Sequence, residues 1–163
     1  MDEVYTKPGY LFRRMQQIAV ATFLDECRAF KLTPVQYAAL VGIHTHAGID
    51  ATRLAAVIAF DQSTLGNVIG RMEAKGYIER KAAGDDKRVK LLYLTRKGLT
   101  LLQDVIASVD RAQSRMLRPL DEGDRQTLLG LMTRLVELNN DASRVPVRAE
   151  QAIQHMKDVG RGR

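Results

Sequence analysis

The sequence lacks the features of a secreted, membrane-spanning or disulfide-rich protein. It contains a single cysteine, Cys27, which excludes an intrachain disulfide and a zinc site built from several cysteines. No apolar run reaches the roughly 18 residues that a membrane-spanning helix requires. The acidic start "MDEVYTKPGY" lacks the basic and apolar regions of a signal peptide. We therefore expect a soluble, cytoplasmic protein that does not contact a membrane.

Motifs of common enzyme active sites are absent as well. The sequence has no glycine-rich phosphate loop, no Gly-x-Ser-x-Gly and no His-Glu-x-x-His, the patterns that accompany well-known catalytic sites. His44 and His46 are two residues apart and cannot share a helical face, and His155 is the third histidine. We predict that the protein is not an enzyme and that it holds neither a cofactor nor a metal ion.

Positive charge is plentiful, and it is concentrated in one stretch of the chain. Residues 62–98 carry nine Lys and Arg against four Asp and Glu, whereas residues 1–61 carry six of each and residues 99–163 carry ten against nine. The net charge of +6 therefore arises almost entirely from residues 62–98. A localised basic surface is what contact with a polyanion requires, and a merely solvated lysine-rich face is the alternative.

Apolar spacing and capping residues predict two helices at the start of the chain. Residues 10–30 form a long helix whose apolar face is too wide for one neighbour. Cys27 lies on this helix, where we expect a buried small side chain. Thr33 and Gln36 match a capping box that opens a second helix, which runs to about residue 46.

Two further helix-capping residues predict a helix-turn-helix. Asp50 and Asp61 can cap a third and a fourth helix, the latter stopping at Gly76. Only two or three residues separate these helices, an arrangement whose second helix suits the major groove of DNA. Two short strands are predicted next, in residues 77–81 and 89–94. The turn "AAGDDKR" separates them, so together they predict a hairpin.

The rest of the chain is predicted to return to helix. Thr95 caps a long helix that ends near Pro119, and Asp121 begins another. After residue 141 the tail has a weak helical spacing of Ala152, Ile153 and Met156.

Three apolar helical faces, in residues 10–30, 99–117 and 125–140, predict self-association. They would satisfy each other best by packing together and against a second copy of the chain, which gives a two-fold homodimer. We therefore divide the chain into an N-terminal dimerisation helix, a DNA-binding lobe, and C-terminal dimerisation helices with a tail: 1–32, 33–98 and 99–163.

This order of elements resembles that of the MarR family of winged helix-turn-helix transcription regulators. "LTPVQYAAL" is similar to the family's second-helix opening, "DQSTLGNVIGRMEAKGYIER" to its recognition helix and the turn into the wing, and "DDKRVKLLYLTRKG" to its wing and fifth helix. The similarity covers about residues 10–140. It implies a mainly α fold with a small two- or three-stranded β wing, in which the terminal helices form a dimerisation lobe.

The resemblance implies DNA-binding roles for residues of the recognition helix and the wing. Arg88 corresponds to the wing-tip arginine that enters the minor groove, and Asp86 to the acid that holds it; guanidinium is attracted to a narrow A·T-rich minor groove. The remaining candidates, for base edges and phosphates, are Gln62, Ser63, Thr64, Asn67, Arg71, Lys75, Lys87 and Lys90. Gly66 and Asn67 depart from many relatives, which have threonine and arginine there, so we expect fewer arginine-to-guanine contacts.

The resemblance also implies a small-molecule effector. The segment from Gly48 to Arg80 is similar to regulators of aromatic-acid catabolism, which suggests a repressor released by a small aromatic acid or an aromatic acyl-CoA, specifically a p-coumaroyl-CoA-type thioester. Aromatic and methionine side chains suit a flat apolar ligand, and Arg or His can meet its anionic group. The candidate effector-binding residues are Phe12, Arg13, Arg14, Met15, Tyr37, Leu40 and His44.

Two alternatives remain open from the sequence. One is a redox-sensing regulator of the same fold that acts through Cys27. The other is a non-specific architectural DNA-binding protein, which the basic stretch alone would permit.

Overall fold

The fold is described by a computed structural model, in which residues 2–83, 86–143 and 145–147 are placed. Within these residues the chain forms mainly helix, as predicted. The α-helices are α1 (Pro8–Glu26), α2 (Pro34–Thr45), α3 (Ala51–Val57), α4 (Gln62–Ala74), α5 (Arg96–Leu117) and α6 (Glu122–Leu138). The helix predicted in the tail lies outside the described residues.

The strands form one antiparallel sheet of three, in the order β1-β3-β2. They are β1 (Ile49–Asp50), β2 (Ile78–Ala83) and β3 (Asp86–Leu94). β2 and β3 form the predicted hairpin, with Ile78 opposite Leu94 and an irregularity between Ala82 and Ala83. β1 pairs Ile49 with Leu92. The sheet of the wing is therefore three-stranded. Its additional strand, β1, has only two residues and is too short to show an alternating pattern in the sequence.

The predicted helix caps are confirmed. Thr33 and Gln36 form a reciprocal capping box at the start of α2. Asp50 accepts a hydrogen bond from the Arg53 amide, and Asp61 accepts one from the Thr64 amide. These side chains satisfy amides that have no partner inside the helix, so they fix where each helix begins.

The first helix is shorter than predicted. α1 ends at Glu26, and a 3₁₀ turn follows over Arg28–Phe30. Cys27 is the C-cap of α1, and Lys31, with a left-handed φ of 52°, ends the 3₁₀ turn. Cys27 at this junction is fully buried, as predicted.

The hydrophobic core lies where the helix-turn-helix, the wing and α5 meet. Its fully buried side chains include Leu40, Ile43, Leu54, Leu65, Ile69, Met72, Ile78, Leu92 and Val105. Because α4 and β3 both contribute to this core, the recognition helix and the wing are held by the same packing.

The base of the wing is tied to the start of α5. The Thr95 hydroxyl donates to the Gly76 carbonyl at 2.7 Å and accepts from the Gly98 amide at 3.1 Å. A Cβ at Gly98 would lie 2.0 Å from the Tyr77 carbonyl oxygen. This close approach explains why glycine stands at position 98, three residues after Thr95.

Apolar faces of α1 and α6 remain uncovered in the single chain. Only Phe23 of α1 is buried, and no residue of α6 is. The exposed apolar side chains of these two helices include Leu11, Phe12, Met15, Ile18, Leu24, Leu129, Leu131, Met132, Leu135, Val136 and Leu138. A set of exposed apolar side chains on neighbouring helices usually marks a site of contact with another molecule.

Candidate nucleic-acid interface

Helix α4 has one face in the core and one face in solvent. Leu65, Ile69 and Met72 recur at intervals of four and three residues and are buried. The predicted DNA-contacting side chains of α4 all lie on the exposed side: Gln62, Ser63, Thr64, Asn67 and Arg71. Ser63, Asn67 and Arg71 are spaced by four residues and therefore form one row along the helix.

The first turn of α4 is organised by two hydrogen bonds to Asp61. Ser63 Oγ donates to its carboxylate at 2.6 Å, and the Thr64 amide donates at 2.9 Å. These two hydrogen bonds lower the pKa of Asp61 below its usual range. The bond from the Ser63 hydroxyl has the larger effect and the bond from the Thr64 amide the smaller one. The carboxylate is therefore ionised at neutral pH and holds this turn in place.

Gln62 makes a contact that the sequence did not reveal. Its Nε2 donates to the hydroxyl of Thr52, on α3, at 2.7 Å. The two residues are ten positions apart, so only the packing of α3 against α4 brings them together. Thr52 and Arg53 were missed as candidates, because nothing in the sequence distinguishes them from other exposed residues of α3.

Two glycines leave the exposed surface of α4 without side chains. A Cβ at Gly66 or Gly70 would meet no atom within 4 Å, so intramolecular packing does not require glycine at either position. Glycine inside a helix is destabilising by about 1 kcal/mol relative to alanine. The two glycines are instead compatible with close approach of another molecule to this face.

The wing lies across a groove from α3. The groove is lined by Asp50, Ala51, Thr52, Arg53, Val89 and Lys90. Arg53 pairs with Asp50 at 3.3 Å, and Lys90 is exposed on β3. The backbone of residues 86–88 belongs to β3, but the side chains predicted for the wing tip, Asp86, Lys87 and Arg88, lie outside the described part of the structure.

Lys75 lies at the end of α4, where it is exposed and forms the C-cap. Its carbonyl accepts a hydrogen bond from Lys97 Nζ at 2.8 Å, and Lys97 also lies over the Tyr77 ring. The backbone of Lys75 is thereby anchored to α5, while its own ammonium group remains at the surface.

The predicted effector-binding residues lie on α1 and α2. Leu40 is fully buried and belongs to the hydrophobic core. Tyr37 packs on Phe23 with ring centroids 5.9 Å apart, and burial raises the pKa of its hydroxyl. The other candidates are exposed on α1 or at the end of α2: Phe12, Arg13, Arg14, Met15 and His44.

Phe12 lines an apolar cavity beside α6. The cavity has a volume of about 510 Å³. It is lined by Phe12, Ala59, Met132, Leu135, Val136, Asn139, Asn140, Ser143, Val145 and Val147. It therefore touches both the turn between α3 and α4, where Ala59 lies, and the helices proposed for dimerisation.

The described residues contain neither a candidate metal site nor a candidate membrane-spanning helix. No cluster of three or more His, Cys, Asp or Glu side chains is arranged there to hold a metal ion. Within the same residues, no helix has both the length and the apolar character needed to cross a bilayer.

The fold and the exposed face of α4 define a winged helix-turn-helix protein. The MarR family model matches residues 32–90, the stretch from the start of α2 to the wing. A "probable transcriptional regulator" from Pseudomonas aeruginosa has 30% sequence identity and a TM-score of 0.76, over 81% of this chain and 98% of that one. The chain belongs to the MarR family of transcription regulators.

Two further proteins show the same likeness over most of their length. The HTH-type transcriptional repressor NicR of Pseudomonas putida is 24% identical over 140 residues, which is 86% of this chain and 89% of NicR. The regulator PcaV of Streptomyces coelicolor, crystallised in complex with its natural ligand, is 26% identical with a TM-score of 0.72, over 82% of this chain and 94% of PcaV.

Proposed function

We propose that this regulator is a ligand-responsive repressor that binds a palindromic DNA operator as a homodimer. The observation that carries the proposal is α4, a helix with its apolar face in the core and a continuous row of polar side chains in solvent. Such a helix, presented by a helix-turn-helix, has the form that fits the major groove. NicR is a repressor by name, which supports repression as the direction of control.

In this proposal the two parts of the basic stretch contact different grooves. Gln62 and Asn67 would pair with base edges, while Ser63, Thr64, Arg71 and Lys75 would bind phosphates or bases. Arg88, steadied by Asp86, would enter the minor groove at the wing tip. Lys87 and Lys90 would bind phosphates, and Arg53 faces the same groove as Lys90.

Dimerisation through residues 1–32 and 99–163 is the second part of the proposal. The uncovered apolar faces of α1 and α6 support it, because a second copy of the chain could bury both. Within the protomer, Arg111 and Arg115 of α5 pair with Asp25 and Glu26 at the end of α1. The two helices are therefore already joined as a unit that could meet a partner.

The effector is the third part of the proposal. We infer an aromatic acid or its CoA thioester, with a p-coumaroyl-CoA-type compound as the specific candidate. The exposed Phe12 and Met15 offer apolar contact and Arg13 and Arg14 offer positive charge, so a partner protomer facing α1 could complete a cleft for an anionic aromatic ligand. PcaV, which binds a ligand in its crystal structure, supports this class of regulation.

Selection of bound sequences from random DNA, with and without candidate ligands, tests the proposal. We expect a palindrome with half-sites about one helical turn apart, bound about 10³-fold or more tightly than random DNA. A flat preference would instead favour an architectural protein. Isothermal titration with a panel of aromatic acids and thioesters should find one that binds and releases the operator; if none does so, the effector part is wrong.

Substitutions in the wing separate specific from general contacts. Arg88→Ala should weaken operator binding by about 1–3 kcal/mol and relax the preference for flanking A·T pairs. Lys90→Ala should weaken binding to all sequences and flatten the salt slope by about one unit. Arg134→Ala, on the polar face of α6, is the control and should change neither. An Arg88→Ala protein with unaltered affinity and flank preference would contradict the wing assignment.

A further inference from the structure

The hydrogen bond between Gln62 and Thr52 joins the two helices of the helix-turn-helix at the surface proposed for DNA. Gln62 is the first residue of α4, and its Nε2 lies 2.7 Å from the Thr52 hydroxyl. Both side chains are exposed. A surface glutamine usually keeps most of its rotamer freedom, so this contact restricts a side chain that would otherwise be mobile.

The backbone beneath both partners is held in place. Thr52 lies in the first turn of α3, where Asp50 accepts from the Arg53 amide and pairs with the Arg53 guanidinium. Gln62 lies in the first turn of α4, which Asp61 caps. Leu54, two residues after Thr52, and Leu65, three residues after Gln62, are fully buried. The hydrogen bond therefore connects two fixed points and defines where the Gln62 amide lies.

The bound amide keeps the atoms that recognise adenine. An amide has two N–H donors and one carbonyl acceptor, and only one donor is used by Thr52. The second N–H and Oε1 remain available, and together they match N7 and N6 of adenine in the major groove. A glutamine that is already positioned loses less side-chain entropy on binding, and it also has fewer orientations with which to accept another base.

We infer that Thr52 is a positioning residue for DNA recognition: its hydroxyl holds the Gln62 amide so that Gln62 selects adenine at one operator position. Thr52 itself then needs no contact with a base. The inference rests on the proposed function, because it requires that α4 reads a specific operator.

Three variants test this role on the full-length protein. Gln62→Ala identifies the operator position at which the preference for adenine disappears. Thr52→Val removes the hydroxyl but keeps the shape of the side chain, and it should reduce the preference at that same position about threefold to tenfold. Thr52→Ser keeps the hydroxyl and should retain the wild-type preference. With Gln62→Ala already present, Thr52→Val should cause no further change there.

Base preference is measured by competition among operators that differ at single positions, and melting temperature confirms that each variant is folded. Unchanged preference in Thr52→Val would overturn the inference. A uniform loss of affinity for all DNA sequences would also overturn it, because Thr52 would then bind a phosphate directly and carry no sequence preference. Failure of the wild-type protein to prefer any sequence is a different result, since it contradicts the proposed function itself.

Discussion

Gly98 is the point at which α5 and the wing approach most closely. A methyl group there would meet the Tyr77 carbonyl oxygen at 2.0 Å, and backbone atoms on both sides have little room to move. We expect Gly98→Ala to lower the free energy of unfolding by about 1–3 kcal/mol or more, as measured by urea denaturation.

Gly130→Ala is the matched control for this substitution. Gly130 lies on the polar side of α6, and a Cβ there would meet no atom within 4 Å. Alanine should stabilise that helix by up to about 1 kcal/mol. Equal effects of the two substitutions would show that the close approach at Gly98 is not important for stability.

Cys27 is placed for packing rather than for oxidation. It is fully buried between α1 and the core, and burial raises the pKa of its thiol, which disfavours the reactive thiolate. We expect peroxide to leave the DNA affinity of the wild-type protein unchanged. Cys27→Ser should instead lower the free energy of unfolding by about 1–3 kcal/mol, because it buries a hydroxyl.

The redox alternative makes the opposite prediction. If peroxide weakened DNA binding by the wild-type protein but not by Cys27→Ser, Cys27 would be a sensor despite its burial. DNA affinity and urea denaturation measured on the same two proteins distinguish a sensor from a packing residue.

At the scale of an element, the start of α4 should respond to acid through Asp61. Its pKa is lowered in the folded protein by the Ser63 hydroxyl and the Thr64 amide. The resulting stabilisation is therefore complete above about pH 5 and is lost as the pH falls through the folded value, below about pH 4.

Asp61→Asn isolates this effect, because asparagine also caps a helix but carries no charge. Between about pH 5 and pH 3, the melting temperature of the wild-type protein should fall more steeply than that of Asp61→Asn. Asp104→Asn, an exposed change on α5, serves as the control. Parallel curves for wild type and Asp61→Asn would contradict a role for the ionised cap.

The helix-turn-helix shows which elements follow directly from sequence. The starts of α2, α3 and α4 were correctly predicted because Thr33, Asp50 and Asp61 act on amides within their own next turn. The predicted end of the first helix was wrong, since no proline or glycine between Glu26 and Lys31 marks where the α-helix gives way to the 3₁₀ turn. Strand β1 was missed because two residues have no detectable period.

At the scale of the whole molecule, the uncovered apolar faces predict an assembly that can be broken. Leu135→Glu places a charge on the exposed apolar face of α6. Sedimentation should then report a particle near the 18.2 kDa protomer in place of the dimer, and operator affinity should fall about 10²-fold or more, because two linked half-site contacts become one.

Gln126→Glu adds a charge on the opposite, polar side of α6 and should leave both mass and affinity unchanged. A Leu135→Glu protein that still sediments as a dimer would place the interface elsewhere. If the dimer were lost while operator affinity stayed the same, binding would not depend on two half-sites.

The sequence by itself determined the fold class, the helix-turn-helix, the wing hairpin and the exposed polar side of α4. These features depend on apolar periodicity and on interactions between residues that are close in the chain. A short segment of the sequence is therefore enough to predict each of them. The basic stretch and the family motifs are equally a property of the sequence.

Only the tertiary structure decided which distant residues meet. It paired Gln62 with Thr52 and Gly98 with Tyr77, and it placed Leu40 in the core rather than beside Phe12. It also left the apolar side of α6 uncovered. Each of these outcomes depends on how helices pack against one another, and packing is decided by the shape of the whole core rather than by local spacing.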